Sequence, residues 1–107
     1  QYCQRCKFGL RANWIQQELL STFALTLVDE ESDTTTGLAS ILMIPRVDSG
    51  SSGIFRVWFS SGTTRSRPLQ LVWDRKSRGG FPEMKQLKQL VRDHVQPTKD
   101  LGHSDRK

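Results

Sequence analysis

The 107-residue chain is poor in several features, and each shortage narrows the classes of protein to which it can belong. No apolar run approaches the roughly 18 residues that cross a bilayer, so the sequence predicts a soluble protein without a membrane partner. Two cysteines are too few to build a disulfide framework. Only His94 and His103 could complete a zinc site with them, and their spacing is far from the usual one of about three to five residues. We therefore predict no metal and no cofactor.

The start of the chain lacks two familiar signals. No basic and then apolar signal peptide precedes the first motif, which favours a cytoplasmic protein. The chain also opens on Gln1 rather than Met, so we expect further residues upstream in the natural protein. The length predicts one domain, residues 1–107, which ends in a polar tail over residues 97–107.

Lysine and arginine are abundant, and the net charge is +5. They are dense between Arg65 and Arg92 and interleaved with Trp73 and Phe81, a pattern that nucleic-acid surfaces share. The tryptophans, however, fall in regular apolar alternation, which is typical of core or rim residues. We interpret the positive charge as a solvated face and expect no nucleic-acid partner.

Apolar spacing predicts one helix near each end of the chain. Over residues 8–27, apolar side chains recur every three or four positions. Four more apolar residues would widen the buried stripe: Leu10, Trp14, Leu20 and Leu27. Pro82 suits the first position of a second helix, which Pro97 ends. The predicted buried stripes consist of Phe8, Ala12, Ile15, Leu19 and Phe23 in the first helix, and Met84, Leu87, Val91 and Val95 in the second.

Three strands are predicted between these helices. Residues 38–44 form a nearly continuous apolar run that Pro45 ends, which is typical of a strand buried on both faces. Residues 54–59 and 69–74 alternate in polarity and would form a hairpin around a polar connection over residues 60–68. Residues 29–37 contain no apolar side chain and are predicted to be a solvated loop.

Cys3 and Cys6 carry the most specific chemistry in the sequence. Residues three apart at the start of a helix lie on the same face, with their Cβ atoms about 5–6 Å apart. Two thiols at this separation can form a disulfide after small adjustments of the turn. The positive end of the helix and the cations Arg5 and Lys7 would lower a thiol pKa. A thiolate beside a second thiol is what thiol–disulfide exchange requires. Two small buried side chains, or half of a metal site, are alternative interpretations of the pair.

Further motifs give the chain a resemblance to a known family. They are Tyr2-Cys3-x-x-Cys6, Arg11-Ala12-x-Trp14, Gln17-Glu18-Leu19-Leu20, Gly53-Ile54-Phe55, Trp73-Asp74-Arg75-Lys76, Gly79-Gly80-Phe81-Pro82-Glu83 and Leu101-Gly102-His103-Ser104-Asp105. Together they resemble the selenoprotein W-related (Rdx; SelT/SelW/SelH) family, in its selenium-free Cys-x-x-Cys branch.

The resemblance implies an α+β, thioredoxin-like fold with a helix after the Cys-x-x-Cys motif, then three strands and a C-terminal helix. Such a fold places a parallel strand directly before the motif. Because only Gln1 and Tyr2 precede Cys3, we expect that first strand to be largely missing from the chain. The implied function is that of a thiol–disulfide oxidoreductase or redox-regulatory protein, which acts on protein thiols or disulfides and is linked to glutathione.

The same resemblance suggests Cys3 and Cys6 as the catalytic pair, but it does not decide which of them attacks. Selenium-containing relatives carry selenocysteine at the position of Cys6, whereas thioredoxin attacks with the cysteine that corresponds to Cys3. Elementary geometry favours Cys3 as the more exposed group, because it lies ahead of the helix. The sequence therefore leaves the nucleophile open.

Further site residues are predicted around the pair. Arg5 would tune the thiol pKa, and Gly53, Ile54 and Phe55 would form a substrate rim. Thioredoxin-like enzymes also place a cis-proline against the motif, and Pro45 is the candidate for that rim position. A plain trans proline is nevertheless the favoured interpretation of Pro45, because cis bonds are rare.

A non-catalytic protein-interaction module with redox-sensing cysteines is the alternative function. Its basic helix, with Lys85, Lys88 and Arg92, would bind an acidic protein partner. The oligomeric state does not follow from the sequence.

Overall fold

The computed structural model describes residues 1–29, 31, 34–61, 68–97 and 99–102. Within them, one long helix follows the first strand, and two further helices follow the last strand. In chain order the elements are β1 (Tyr2–Cys3), α1 (Gly9–Phe23), β2 (Thr26–Asp29), β3 (Thr34–Thr36), β4 (Pro45–Arg46), a short 3-10 helix (Ser49–Ser51), β5 (Arg56–Phe59), β6 (Gln70–Asp74), α2 (Arg75–Arg78) and α3 (Met84–Val95). No helix of this described part is long and apolar enough to cross a membrane.

The short strand β1 has a partner on each side. It pairs in parallel with β4, with Tyr2 opposite Pro45 and Cys3 opposite Arg46. On its other side, the Cys3 N–H donates to the Ile54 carbonyl at 2.9 Å, and Tyr2 bridges antiparallel to Phe55. A parallel strand therefore does lead into the cysteine motif, and two residues are enough to form it.

The core forms where α1, α3 and the strands meet. Helix α1 contacts both β1 and α3, and α3 contacts β6. The buried residues that make up the main apolar cluster are Tyr2, Ala12, Ile15, Leu19, Phe23, Phe55, Val72, Trp73, Leu87 and Val91. The stripe predicted for the first helix is therefore largely confirmed, whereas Leu10 and Trp14, which were expected to widen it, are exposed.

Helix α1 ends four residues earlier than predicted. Ala24 leaves the helical conformation with ψ 141°, and Thr26 then pairs with Thr36 in the antiparallel β2–β3 ribbon. The expectation of an unpaired loop over residues 29–37 is wrong for Thr34–Thr36, because β-branched threonines favour extended backbone. Gly37 closes the ribbon at φ +110°, where a Cβ would lie 2.5 Å from the Phe23 carbonyl oxygen. Residues 30, 32 and 33 lie outside the described residues.

The apolar run over residues 38–44 does not form the predicted doubly buried strand. Its only residue in a β-bridge is Leu38, which pairs with Ala24, and Leu42 is 80 % exposed. Only Ile41 and Met43 of its second half pack against the core. Because β1 offers two residues for parallel pairing, the strand is confined to Pro45 and Arg46.

The predicted hairpin is confirmed as β5 and β6, which pair antiparallel with an irregularity after Val57. Arg56 and Asp74 lie opposite each other and form an ion pair at 3.7 Å. In β6, the buried Trp73 donates from Nε1 to the Gly80 carbonyl at 3.0 Å. Most of the predicted connection over residues 60–68 lies outside the described residues.

The sequence interpretation missed α2 and began the last helix too early. The Asp74 carboxylate caps α2 by accepting from the Lys76 N–H, and Gly79 ends it at φ +80°. Helix α3 begins at Met84, because Glu83 keeps an extended backbone. Of the predicted polar tail, residues 98 and 103–107 lie outside the described part, and Leu101 packs against the core.

We expect Leu87→Ala to lower the free energy of unfolding by about 2–5 kcal/mol, because Leu87 is 0 % exposed and its removal leaves a cavity. Leu10→Ala is the matched helical control, and it should change stability by less than about 0.5 kcal/mol because Leu10 is 86 % exposed. Urea denaturation followed by circular dichroism measures both. Equal losses in the two variants would contradict this placement of the core.

Candidate functional site

The two cysteines lie at the carboxyl end of β1 and in the turn that follows it. The Cys6 N–H donates to the Cys3 Sγ at 3.3 Å, and the Phe8 N–H donates to the Cys3 carbonyl at 3.4 Å. Both cysteines are free thiols. The turn thus brings the second cysteine back over the first.

The spacing of the two cysteines suggested that they occupy the first turn of helix α1. In the structure, both lie before the helix. The helix begins at Gly9, and Lys7 adopts a left-handed backbone with φ +61°. A non-glycine residue in that region cannot continue a right-handed helix, so residues 4–8 form a separate turn. The helix terminus is therefore one turn away from Cys6, and local backbone amides act on the sulfurs directly.

The two thiols differ in pKa because they share a hydrogen bond. The Cys6 thiol donates to the Cys3 sulfur, which lowers the pKa of Cys3, and the backbone amides of Gly53, Cys6 and Arg5 lower it further. The same hydrogen bond raises the pKa of Cys6, and desolvation raises it too. Of the two thiols, Cys3 is therefore the one that loses its proton more readily.

The cysteine with the lower pKa is the less exposed of the two. Cys3 is only 2 % exposed, whereas Cys6 is partly exposed. The expectation that Cys3 is the more exposed group is wrong, because β4 on one side and Ile54 on the other enclose it. The better thiolate is thus the less accessible sulfur.

Arg75 is a charged neighbour of the pair that the sequence interpretation did not select. Its guanidinium lowers the pKa of Cys6, although the hydrogen bond to Cys3 outweighs this effect. Its Nη1 donates to the Gly53 carbonyl at 3.2 Å, and its Nε is buried without a hydrogen-bond partner in the described part of the chain. Only its place in the Trp73-Asp74-Arg75-Lys76 motif could have indicated it.

Aromatic rings hold the Arg75 guanidinium in place. Its Cζ lies 5.3 Å from the centre of the Phe8 ring and 5.1 Å from that of Phe81. The two rings meet edge to face at 4.8 Å, and Phe55 meets Phe81 in the same way at 5.3 Å. A positive charge is thus fixed near Cys6 by stacking as well as by hydrogen bonding.

Arg5 lies between the cysteines with an exposed side chain. Its backbone amide contributes to the lowered pKa of Cys3, whereas the guanidinium that acts on Cys6 belongs to Arg75. A tuning role for the charge of Arg5 stays a prediction.

The predicted rim residues lie in two different environments. Gly53 is next to the sulfurs, where its amide lowers the pKa of both, and its φ of +75° favours glycine. The side chains of Ile54 and Phe55 are buried, so these residues reach the site through backbone groups. Their part in substrate binding stays a prediction.

Pro45 lies in β4 opposite Tyr2, and its side chain is exposed. The described residues contain no cis peptide bond, so the trans form that the sequence favoured is the one present. Arg46, not Pro45, is the residue opposite Cys3. A role for Pro45 at a substrate rim remains a prediction.

The described residues contain no group of three or more His, Cys, Asp or Glu side chains that could hold a metal ion. The groups that act on the two sulfurs in this part of the chain are backbone amides and the guanidinium of Arg75.

Two solved structures resemble this one over most of its length. A Bordetella parapertussis protein known from its crystal structure is 37 % identical, with a TM-score of 0.56, over 87 % of this chain and 89 % of its own. A selenoprotein W-related protein from Vibrio cholerae is 33 % identical, with a TM-score of 0.56, over 87 % and 88 % of the two chains. Comparison with curated protein sequences gave no match.

These similarities and the site define a class of protein: thioredoxin-like domains of the selenoprotein W-related kind, with mixed helices and small sheets. The model of the Rdx family matches residues 1–93. The chain therefore belongs to the Rdx family, and the fold and family inferred from its motifs are confirmed.

We expect Cys6→Ala to raise the pKa of Cys3, because the substitution removes the thiol that donates to the Cys3 sulfur. Cys6→Ser keeps a donor at the same position and should raise the pKa less. Ultraviolet absorbance of the thiolate, followed against pH, measures this pKa in both variants. Identical titrations of the two variants and the wild-type Cys3 would show that the shared hydrogen bond does not act.

Proposed function

We propose that this protein is a thiol–disulfide oxidoreductase whose Cys3 and Cys6 cycle between a dithiol and a disulfide. The observation that supports this most strongly is the hydrogen bonding between them, with the amide and the thiol of Cys6 both directed at the Cys3 sulfur. Two thiols linked through the hydrogen bond from the Cys6 N–H to the Cys3 Sγ, one of them with a lowered pKa, have the arrangement that disulfide exchange needs.

Accessibility makes Cys6 the proposed attacking residue. Its proton passes along the hydrogen bond to the Cys3 sulfur, and the Cys6 thiolate that results is stabilised by Arg75. This thiolate attacks one sulfur of a substrate disulfide. A bond forms from Cys6 to that sulfur, the substrate S–S bond breaks, and the other half leaves as a thiolate that takes a proton from water.

Cys3 then resolves the mixed disulfide. Its lowered pKa favours loss of the proton that it had accepted, and its thiolate attacks the Cys6 sulfur. The Cys3–Cys6 disulfide forms while the second substrate thiolate leaves and is protonated. Overall, the protein gives two electrons to the substrate disulfide, which leaves as two thiols, and the protons are exchanged through the solvent.

Protein disulfides are the proposed substrates, and glutathione is the proposed reductant that restores the dithiol. Two glutathione molecules would supply the two electrons by the same exchange in reverse. A resting dithiol of this kind suits a reducing compartment such as the cytoplasm.

The alternative function, an interaction module with a basic helix, has less support in the described residues. Lys88 is ion-paired with Glu18 at 3.1 Å, and Arg92 with Asp93 at 3.2 Å. Much of the positive charge that would bind an acidic partner is thus already neutralised within the chain.

Titration of the purified protein in glutathione redox buffers should give one intramolecular disulfide between Cys3 and Cys6, detected as the loss of both free thiols. Cys3→Ser and Cys6→Ser are the controls, and neither can lose two thiols within one molecule. If no buffer produces the intramolecular disulfide, the proposed mechanism is wrong.

The two single variants should also differ in their reaction with oxidised glutathione. Cys3→Ser should accumulate a stable mixed disulfide at Cys6, because Cys6 is accessible and its resolving partner is absent. Cys6→Ser should react about tenfold more slowly, because access to a sulfur limits exchange and Cys3 is buried. Mass spectrometry of quenched samples gives both rates, and the reverse order would assign the attack to Cys3.

A further inference from the structure

An open groove lies beside the cysteine turn, and the proposed exchange reaction leaves it unexplained. Its volume is about 520 Å³, which lies within the range of about 300–1,000 Å³ found for ligand sites. The residues that line it come from the turn, the first two turns of α1 and the segment before α3; they are Lys7, Phe8, Leu10, Arg11, Trp14 and Phe81.

The groove faces solvent, and four of its six lining residues are apolar. Leu10 is 86 % exposed and Trp14 49 %, and both lie on α1 outside its buried stripe. The Phe8 and Phe81 rings, in edge-to-face contact at 4.8 Å, contribute further apolar surface. Because contiguous apolar surface that remains exposed beside a reactive site usually marks a binding surface, the groove suits a large apolar side chain.

The charge that lines the groove is of one sign. Lys7 and Arg11 contribute cations, and no carboxylate is among the lining residues. Neither cation forms an ion pair with a carboxylate of the described residues. The Arg11 guanidinium lies 4.1 Å from the centre of the Phe81 ring, so its position is fixed while its N–H groups remain available.

We propose that this groove binds the segment of a substrate protein next to its reactive cysteine, and that the segment combines acidic residues with one large apolar side chain. The inference rests on the proposed exchange at Cys6. Lys7 follows Cys6 directly and lines the groove, so a chain whose cysteine reaches Cys6 enters the groove within a few residues, at about 3.3 Å each.

A peptide fits these features better than a nucleic acid does. Nucleic-acid grooves combine cations with flat aromatic rings for base stacking, whereas the most exposed of the apolar lining residues here is the aliphatic Leu10. The groove takes no part in the thiol–disulfide exchange at the sulfurs. It binds the substrate before that exchange begins.

The proposal can be tested with synthetic peptides that carry one cysteine as a mixed disulfide with thionitrobenzoate. The first peptide has two aspartates and a leucine beside the cysteine, the second has lysines for the aspartates, and the third has glycine for the leucine. Release of thionitrobenzoate by the reduced protein gives the rate constants, with the mixed disulfide of mercaptoethanol as a small neutral reference.

The acidic leucine peptide should react about tenfold faster than the lysine peptide at low salt, and added salt should reduce this difference. It should also react about fivefold faster than the glycine peptide, because the leucine is partly buried on binding. Arg11→Gln should lower the ratio of the acidic-peptide rate to the reference rate about three- to fivefold. Lys99→Gln, a matched loss of charge at a residue that does not line the groove, should leave that ratio unchanged.

The results that would contradict the groove proposal differ from those that would contradict the exchange mechanism. Equal rates for the acidic and lysine peptides, or a ratio insensitive to Arg11→Gln, would overturn the groove proposal and leave the exchange mechanism intact. No release from any probe, the neutral reference included, would overturn the exchange mechanism itself.

Two further measurements exclude other occupants. If a single-stranded oligonucleotide suppresses the peptide reaction more strongly than polyglutamate of equal charge, the groove is a nucleic-acid surface and the peptide proposal fails. If sedimentation at the assay concentration shows a dimer that Arg11→Gln dissociates, the occupant is a second copy of this chain, and the proposal fails as well.

Discussion

The site depends on the hydrogen bonds that fix the backbone of β1 from both sides. The Tyr2 N–H donates to the Ile44 carbonyl at 3.1 Å, the Cys3 N–H to Ile54 at 2.9 Å and the Gln4 N–H to Arg46 at 2.9 Å. A strand of two residues would not hold its position by side-chain packing alone. These three successive amides donate in turn to the chain on one side of β1 and to the chain on the other, which fixes the position of the Cys3 sulfur. The turn that follows then places the Cys6 N–H within hydrogen-bond distance of this sulfur.

This placement explains why the electrostatics of the pair are local. The sulfur of Cys3 is enclosed, and a buried thiolate would be costly without donors directed at it. The amides of Gly53, Cys6 and Arg5 supply those donors, and the thiol of Cys6 supplies the strongest. Backbone amides cannot swing away as long side chains can, so the preference for charge on Cys3 is built into the path of the chain.

The sequence predicted the features that depend on local side-chain patterns better than those that depend on residues distant in the chain. The stripe from Ala12 to Phe23 and the hairpin of β5 and β6 were predictable because side-chain periodicity reports burial. The apolar run over residues 38–44 was misinterpreted, since hydrophobicity indicates burial but does not show whether a partner strand is available. The motif spacing located Cys3 and Cys6, but their relative exposure depends on β4 and Ile54, which are distant in sequence. Arg75 was missed for the same reason.

Leu10 and Trp14 show how a departure from a local rule can carry information. At 3.6 residues per turn, both lie two positions from Ala12 and therefore on the face of α1 away from its buried stripe, where polar side chains are usual. They are exposed around a groove that is also lined by Lys7, the residue after Cys6, and by Arg11. Sequences tend to break such rules at functional sites, where an exposed side chain is retained for what it binds. The same helix therefore has two roles, since Ala12 and Ile15 attach it to the core while Leu10, Arg11 and Trp14 face a partner.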